Sequence, residues 1–199
     1  MGREVASPAL AVLEKIAQEH HIPIEYETTG QHFPWDGAIG TVLWPETSES
    51  TGGSAKNDDS LVFRMQYGDR SFLLPGDAEK QSEFRMLRQN ATSALQSDVL
   101  KVGHHGSKNS TMPPFLSAVH PSIALISAGE DNPYGHPSPE LLSRLQESGV
   151  RILRTDRDGA LQVLTDGKHI EVSCFIPCAE SATESSQTQT PDSKQQSQQ

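Results

Sequence analysis

An α/β domain with a mixed sheet covered by helices is the fold class that the sequence predicts. Three observations predict it. Short apolar runs alternate with stretches of helical period, two of those runs are joined by a tight turn signal, and further strand runs follow the last helix. The predicted domain covers residues 1–178, and residues 179–199 form a tail.

Taken in order, Ser7-Pro8 is a helix-start signal with proline at the first helical position, and Leu10, Leu13, Ile16 and Ala17 recur on one face. The helix should end near His20-His21, before Pro23. Strands are predicted at Ile24 to Glu27 and Ile39 to Trp44, with Gly30, Pro34 and Gly37 marking the loop between them. Thr47 to Asp59 reads as a polar loop. Leu61 to Tyr67 and Ser71 to Leu74 flank Gly68-Asp69-Arg70 and predict a hairpin.

From Ala78 the period becomes helical, with Phe84, Leu87 and Met86 assigned to the buried side. Val99 to Val102 is a strand that runs into Gly103-His104-His105-Gly106-Ser107. A short helix at Pro114 to Val119 leads to a strand at Ile123 to Ser127. Ser138-Pro139 starts another helix through Glu147, and Gly149 stops it. Strands at Arg151 to Arg154, Ala160 to Thr165 and Ile170 to Cys174 complete the set. No internal repeat occurs.

Charge narrows the function. The 199 residues carry 16 basic and 26 acidic side chains, a formal charge of −10, which excludes a cationic protein that grips nucleic acid by bulk electrostatics. From Glu180 to Gln199, fourteen of twenty residues are Ser, Thr or Gln. Such a segment has too little apolar surface to offset the entropy of ordering, so a disordered tail is expected. No apolar run is long enough to span a membrane and no signal-peptide core follows Met1, so the chain as encoded is expected to be soluble and cytoplasmic. Cys174 and Cys178 match no common zinc or redox spacing and are read as inert thiols, a disulfide being expected only outside the cytoplasm.

Asp77, His104, His105 and His136 all follow predicted strands, in glycine-containing loops from which a rigid sheet can present side chains to one edge. A carboxylate and imidazoles delivered this way suit a divalent cation such as zinc, manganese or iron. Such an ion lowers the pKa of a bound water and polarises a phosphoryl oxygen, so hydrolysis is its natural use. Each residue also has a plainer reading. Asp77 could cap the helix after it, the histidine pair could bind substrate, and His136 could be an ordinary loop histidine. Ser107 lacks a nucleophile elbow and either turns the chain or donates to a phosphate. His20, His21, His32, His120 and His169 are assigned no role.

The stretches Asn57-Asp58-Asp59-Ser60-Leu61, Phe72-Leu73-Leu74-Pro75-Gly76-Asp77 and Leu100-Lys101-Val102-Gly103-His104-His105-Gly106-Ser107 resemble the metallo-β-lactamase-fold domain of ComEC-type DNA-uptake (competence) proteins. Ile126-Ser127-Ala128-Gly129, Asn132-Pro133-Tyr134-Gly135-His136-Pro137 and Arg154-Thr155-Asp156-Arg157-Asp158-Gly159 continue the resemblance in the same order. It covers about Ile39 to Val163. The resemblance implies a four-layer αββα sandwich and a metal-dependent nuclease or phosphodiesterase acting on DNA, with zinc or manganese as cofactor. It further implies Asp77 as bridging carboxylate, His136 as a late ligand, and one of His104 and His105 near the metal or the scissile phosphate. Lys101, Ser107, Asn57 and Asp156 would lie at the periphery. In the full-length relatives the domain is attached to a membrane channel and faces outward.

The chain departs from that pattern in one respect. The fold's early His-x-His-x-Asp-His motif supplies much of the metal shell, and no His-x-His occurs here. The expectation is therefore an incomplete domain, with a sheet edge and an apolar face uncovered and with too few ligands for two cations. It would be weak or inactive unless an upstream fragment or the membrane-channel portion supplies the rest. The competing expectations are a non-catalytic remnant or binding module of the same fold, or a fragment of a longer membrane protein.

Overall fold

The computed structural model describes residues 7–47 and 56–178. The expected tail lies outside them, as does most of the polar loop. Helix α1 (Pro8–Glu19) begins where Ser7 Oγ accepts the Leu10 N–H. Strands β1 (His32–Trp35) and β2 (Ala38–Trp44) follow, then β3 (Val62–Tyr67) and β4 (Arg70–Leu74). Helices α2 (Lys80–Gln89) and α3 (Thr92–Leu95) lead to β5 (Val99–Lys101). Next come α4 (Pro113–Val119), β6 (Ile123–Ile126), α5 (Pro139–Glu147), β7 (Arg151–Arg154) and α6 (Thr155–Asp158). Strands β8 (Leu161–Thr165) and β9 (Ile170–Cys174) close the described chain.

Strands β1 to β7 form one seven-stranded sheet in sequence order. It is antiparallel from β1 to β4 and parallel from β4 to β7, as short hairpins and helical crossovers respectively require. One face carries Leu43, Leu73, Leu100 and Ile126 against Met86 of α2, Phe115 of α4 and Leu141 of α5, all nearly inaccessible to solvent. The mixed α/β class expected from the sequence is thus observed.

Strands β8 and β9 form a separate antiparallel pair. Its turn meets the β3–β4 turn, where the Asp69 N–H donates to the Gly167 carbonyl at 2.7 Å and Arg70 Nε to the Lys168 carbonyl at 2.5 Å. A Cβ on Gly68 would sit 2.6 Å from the Gly167 oxygen, so glycine is what permits that approach. Val99 and Leu153, which point away from the helices, are also buried, whereas Phe63, Met65 and Phe72 on the same face remain half-exposed.

Several expectations need correction. No strand forms at Ile24 to Glu27, while the stretch marked as a loop contains β1, which tolerates Pro34 because it is an edge strand with no ladder donor required on its outer side. In α2 the buried side is Ser82, Glu83 and Met86, and Phe84 is 46% exposed. The polar pair goes inside because neighbouring loops offer it hydrogen bonds. Helix α1 buries none of its residues, and Leu13 and Ile16 of its apolar stripe are exposed, as is Val12. Cys174 and Cys178 form a disulfide, the turn at Pro177 bringing their Cα atoms to 5.5 Å, so they are not the free thiols expected.

Candidate functional site

The strand-end loops of the sheet meet at glycines. Gly103 lies so close to α2's approach that an added Cβ would be 2.9 Å from the Ala78 carbonyl oxygen. Gly106, at φ +88°, would place a Cβ 2.6 Å from Pro137. The Gly-His-His-Gly segment is therefore wedged between the Asp77 loop and the His136 loop, and flanking glycines are what let three loops converge. Between those glycines, His104 (φ 44°, ψ 49°) and His105 (φ 55°, ψ 19°) are both left-handed. Two consecutive non-glycine residues in that region cost conformational energy, and such strain clusters at functional sites.

The four candidate residues are brought together. His105 Nε2 stands 3.7 Å from Asp77 Oδ1. The His104 ring centroid is 5.6 Å from that of His136 and 6.3 Å from that of His105. His105 Nδ1 contacts the Ser127 carbonyl at 2.8 Å. A carbonyl only accepts, so Nδ1 carries the proton, and in the neutral ring the Nε2 lone pair faces the Asp77 carboxylate.

Tyr134 stacks on His136 with centroids 6.1 Å apart, and Asn132 grips the His136 backbone from both sides: its Oδ1 accepts the N–H at 3.0 Å and its Nδ2 donates to the carbonyl at 2.5 Å. His136 Nδ1 is buried with no hydrogen-bond partner in the structure. Burial first, then the neighbouring His104 and His105, hold the His136 imidazole below its ordinary pKa, against a smaller opposing effect of Glu79. It is therefore neutral at neutral pH.

Asp77 does not cap α2. That task falls to Asp58, whose Oδ1 accepts from Glu79 N, Ser82 N and Ser82 Oγ at 3.2, 3.1 and 2.7 Å. Ser60 Oγ accepts the Asp77 N–H at 3.1 Å. The Asn-Asp-Asp-Ser stretch thus braces the Asp77 loop while leaving the Asp77 carboxylate free to face His105. Lys101 ends β5 on the face away from the helices and donates to the Val102 carbonyl at 3.1 Å. Burial lowers its pKa, and Asp77 works in the opposite direction.

Glu79 is a site residue that the sequence reading missed. Its Oε1 lies 2.7 Å from His104 Nδ1, while Asn57 Nδ2 approaches the same nitrogen at 3.3 Å. The shorter contact fixes the proton on Nδ1, because a carboxylate cannot donate. The signal was available in Gly76-Asp77-Ala78-Glu79, where a second acid follows at a two-residue spacing. Ser107 Oγ accepts the Asn109 N–H and so turns the chain, and Asp156 pairs with Arg154.

Asp77, His105 and His136 offer oxygen and neutral imidazole nitrogen, a donor chemistry that fits a divalent cation. As they stand, no group of three or more His, Cys, Asp or Glu among the described residues is spaced to hold one. Two cavities of about 510 and 480 Å³ share His120 and Ser122 and lie at the opposite ends of the parallel strands. They are not part of this cluster.

No protein-family model matches the chain. It is 38% identical over 158 residues to ComE operon protein 3 of Bacillus subtilis, a match covering 79% of this chain and 20% of that protein. It is 36% identical over 132 residues to Competence protein ComA of Neisseria gonorrhoeae, covering 66% and 18% respectively. Recombination protein 2 of Haemophilus influenzae is 35% identical over 136 residues, covering 68% and 16%. The chain is related to bacterial competence proteins. It spans a fifth or less of the length of these relatives. Among the described residues, no helix is long and apolar enough to cross a membrane.

Proposed function

We propose that this chain is a metallo-β-lactamase-like domain that takes part in metal-dependent phosphodiester hydrolysis of DNA during uptake. The observation that supports the reading most is the convergence of Asp77, His105 and His136 at one sheet edge, with the His105 lone pair aimed at the carboxylate. The layering of helices, seven-stranded sheet and β8–β9 pair is compatible with a sandwich whose second sheet is short. When bound, a zinc or manganese ion would supply Lewis-acid polarisation of a phosphoryl oxygen and a more acidic water.

Asp77, His105 and His136 are the donors this chain would contribute. His104 has its Nδ1 proton committed to Glu79, and Lys101 would add positive charge beside Asp77. With three donors spread this widely, affinity for the cation is weak unless further ligands come from another segment or protein. The net charge of −10 makes DNA contact transient.

One observation favours a second reading. Because no three such donors among the described residues are spaced to hold a cation, a non-catalytic module of the same fold that binds a partner without turnover is the alternative. Calorimetric titration with zinc and manganese, combined with cleavage assays on single-stranded DNA, separates the two. Saturable metal binding and cleavage, both lost in Asp77→Ala, support the hydrolase. Absence of binding and of cleavage with either metal supports the non-catalytic module.

A further inference from the structure

Strand β6 ends at Ile126, yet its hydrogen-bonding rhythm continues for two more residues through side chains. In a strand, successive carbonyls point to opposite sides. The Leu125 carbonyl points toward β5 and accepts the Val102 N–H at 2.8 Å. Two residues on, the Ser127 carbonyl points the same way, but β5 has ended, and the donor it meets is His105 Nδ1 at 2.8 Å. On the opposite side β7 has turned into α6, and Ala128 meets a hydroxyl in place of backbone. Thr155 Oγ1 accepts the Ala128 N–H at 2.9 Å and donates to the Ala128 carbonyl at 2.7 Å.

Thr155 therefore does for Ala128 what a neighbouring strand would do. Both polar groups of that peptide position are satisfied by one atom, so the segment stays extended past its last backbone partner. The extension is what carries the Ser127 carbonyl to the His105 ring. The Ala128 methyl also packs against the hydrophobic core, but it is the Thr155 hydroxyl that meets both polar groups of its backbone.

We infer that Thr155 is a positioning residue for His105: its hydroxyl holds Ala128, Ala128 holds the Ser127 carbonyl in line, and that carbonyl selects the His105 tautomer whose Nε2 faces Asp77. Thr155 touches neither Asp77 nor any imidazole of the site in the contacts described, so its effect is indirect. The relevance to catalysis rests on the hydrolase reading above; the effect on His105 does not.

The test uses Thr155→Val, which keeps shape and loses both hydrogen bonds, with Thr155→Ala as a second variant should valine not fold, and Thr155→Ser to restore the hydroxyl. Long-range proton–nitrogen correlation of the histidine rings in the metal-free protein reads the His105 tautomer directly. The expected result is Nδ1–H in the parent protein and in Thr155→Ser, and a mixture of tautomers in Thr155→Val or Thr155→Ala. Manganese or zinc affinity should fall about tenfold in the same two variants and recover in Thr155→Ser, the low end of the losses seen when partners of ligating histidines are removed, because Thr155 acts through two intermediaries. Unchanged His105 ring signals in a folded hydroxyl-less variant, or a Thr155→Ser protein as altered as Thr155→Val, would overturn the inference. A parent protein that binds no metal and cleaves no DNA, but whose His105 signals respond as expected, would uphold the positioning role and remove the hydrolase reading instead.

Discussion

Glu83 of α2 reaches across to the backbone of Thr111, accepting its N–H at 2.5 Å through Oε1 while Oε2 accepts the Met112 N–H at 2.8 Å. From the other side, Arg144 Nη1 of α5 donates to the carbonyls of Ser110 and Thr111 at 2.9 and 2.7 Å. The loop after the histidine pair is thus gripped by an acid and a base from two helices. Ser110 Oγ passes the restraint on to Gly103 and Ser107, donating to both carbonyls. That arrangement explains why a glutamate occupies a buried position of α2.

Glu83 makes stability depend on pH in an unusual sense. Burial raises its pKa from 4.5 to about 7, with the Asp58 carboxylate adding to the rise and the Met112 and Thr111 N–H groups and Arg144 opposing it. An acid whose folded pKa is raised binds a proton in the folded state that the unfolded chain releases. Its contribution to stability is therefore greatest below the unfolded value and falls as pH climbs through the window from 4.5 to about 7. The full effect is on the order of 3 kcal/mol. Urea unfolding midpoints at pH 5 and pH 8 should drop more for the parent protein than for Glu83→Gln. Equal slopes in the two proteins would sink the idea.

Gly106→Ala should be strongly destabilising. The new Cβ would meet Pro137 at 2.6 Å and the residue would hold φ +88°, so strain and a steric clash act together. A loss of about 2 to 4 kcal/mol is expected. Because relief comes by separating the His105 and His136 loops, the proposed metal binding should weaken along with thermal stability. A variant that melts within about a degree of the parent and titrates identically would show that the loops are not wedged as described.

The disulfide between Cys174 and Cys178 gives a third expectation. Under oxidising conditions the unfolded protein should expose no thiol to a thiol reagent, and two after reduction. A short closed loop constrains the unfolded chain modestly, so reduction should cost about 2 kcal/mol. Two reactive thiols in protein unfolded without reductant, after refolding in air, would count against the bridge.

Much of the fold was legible because period and punctuation agreed. The predicted strands from β2 through β9 and the helices α1, α2, α4 and α5 rest on apolar spacing, on Pro at helix starts, and on glycines such as Gly149, which stops α5 at φ +69°. Failures came where tertiary contacts outrank pattern. Strand β1 is only four residues long and contains Pro34, so the alternation of Phe33 and Trp35 is too short and too interrupted to announce it. Helix α2 buries Ser82 and Glu83 because Asp58 and the Thr111 backbone await them, which no local window contains. The candidate cluster was legible in its ligand-type residues and illegible in its supports: Glu79, Thr155 and Glu83 act through partners between 25 and 28 residues away.

The left-handed backbone at His104 and His105 governs how this cluster should be dissected by mutagenesis. Alanine at either position removes the imidazole and at the same time weakens the preference for positive φ, so a loss of activity would confound ring chemistry with chain geometry. Asparagine settles readily into that conformation. Replacing each histidine by asparagine separates the two contributions, and it turns an awkward piece of backbone into a built-in control.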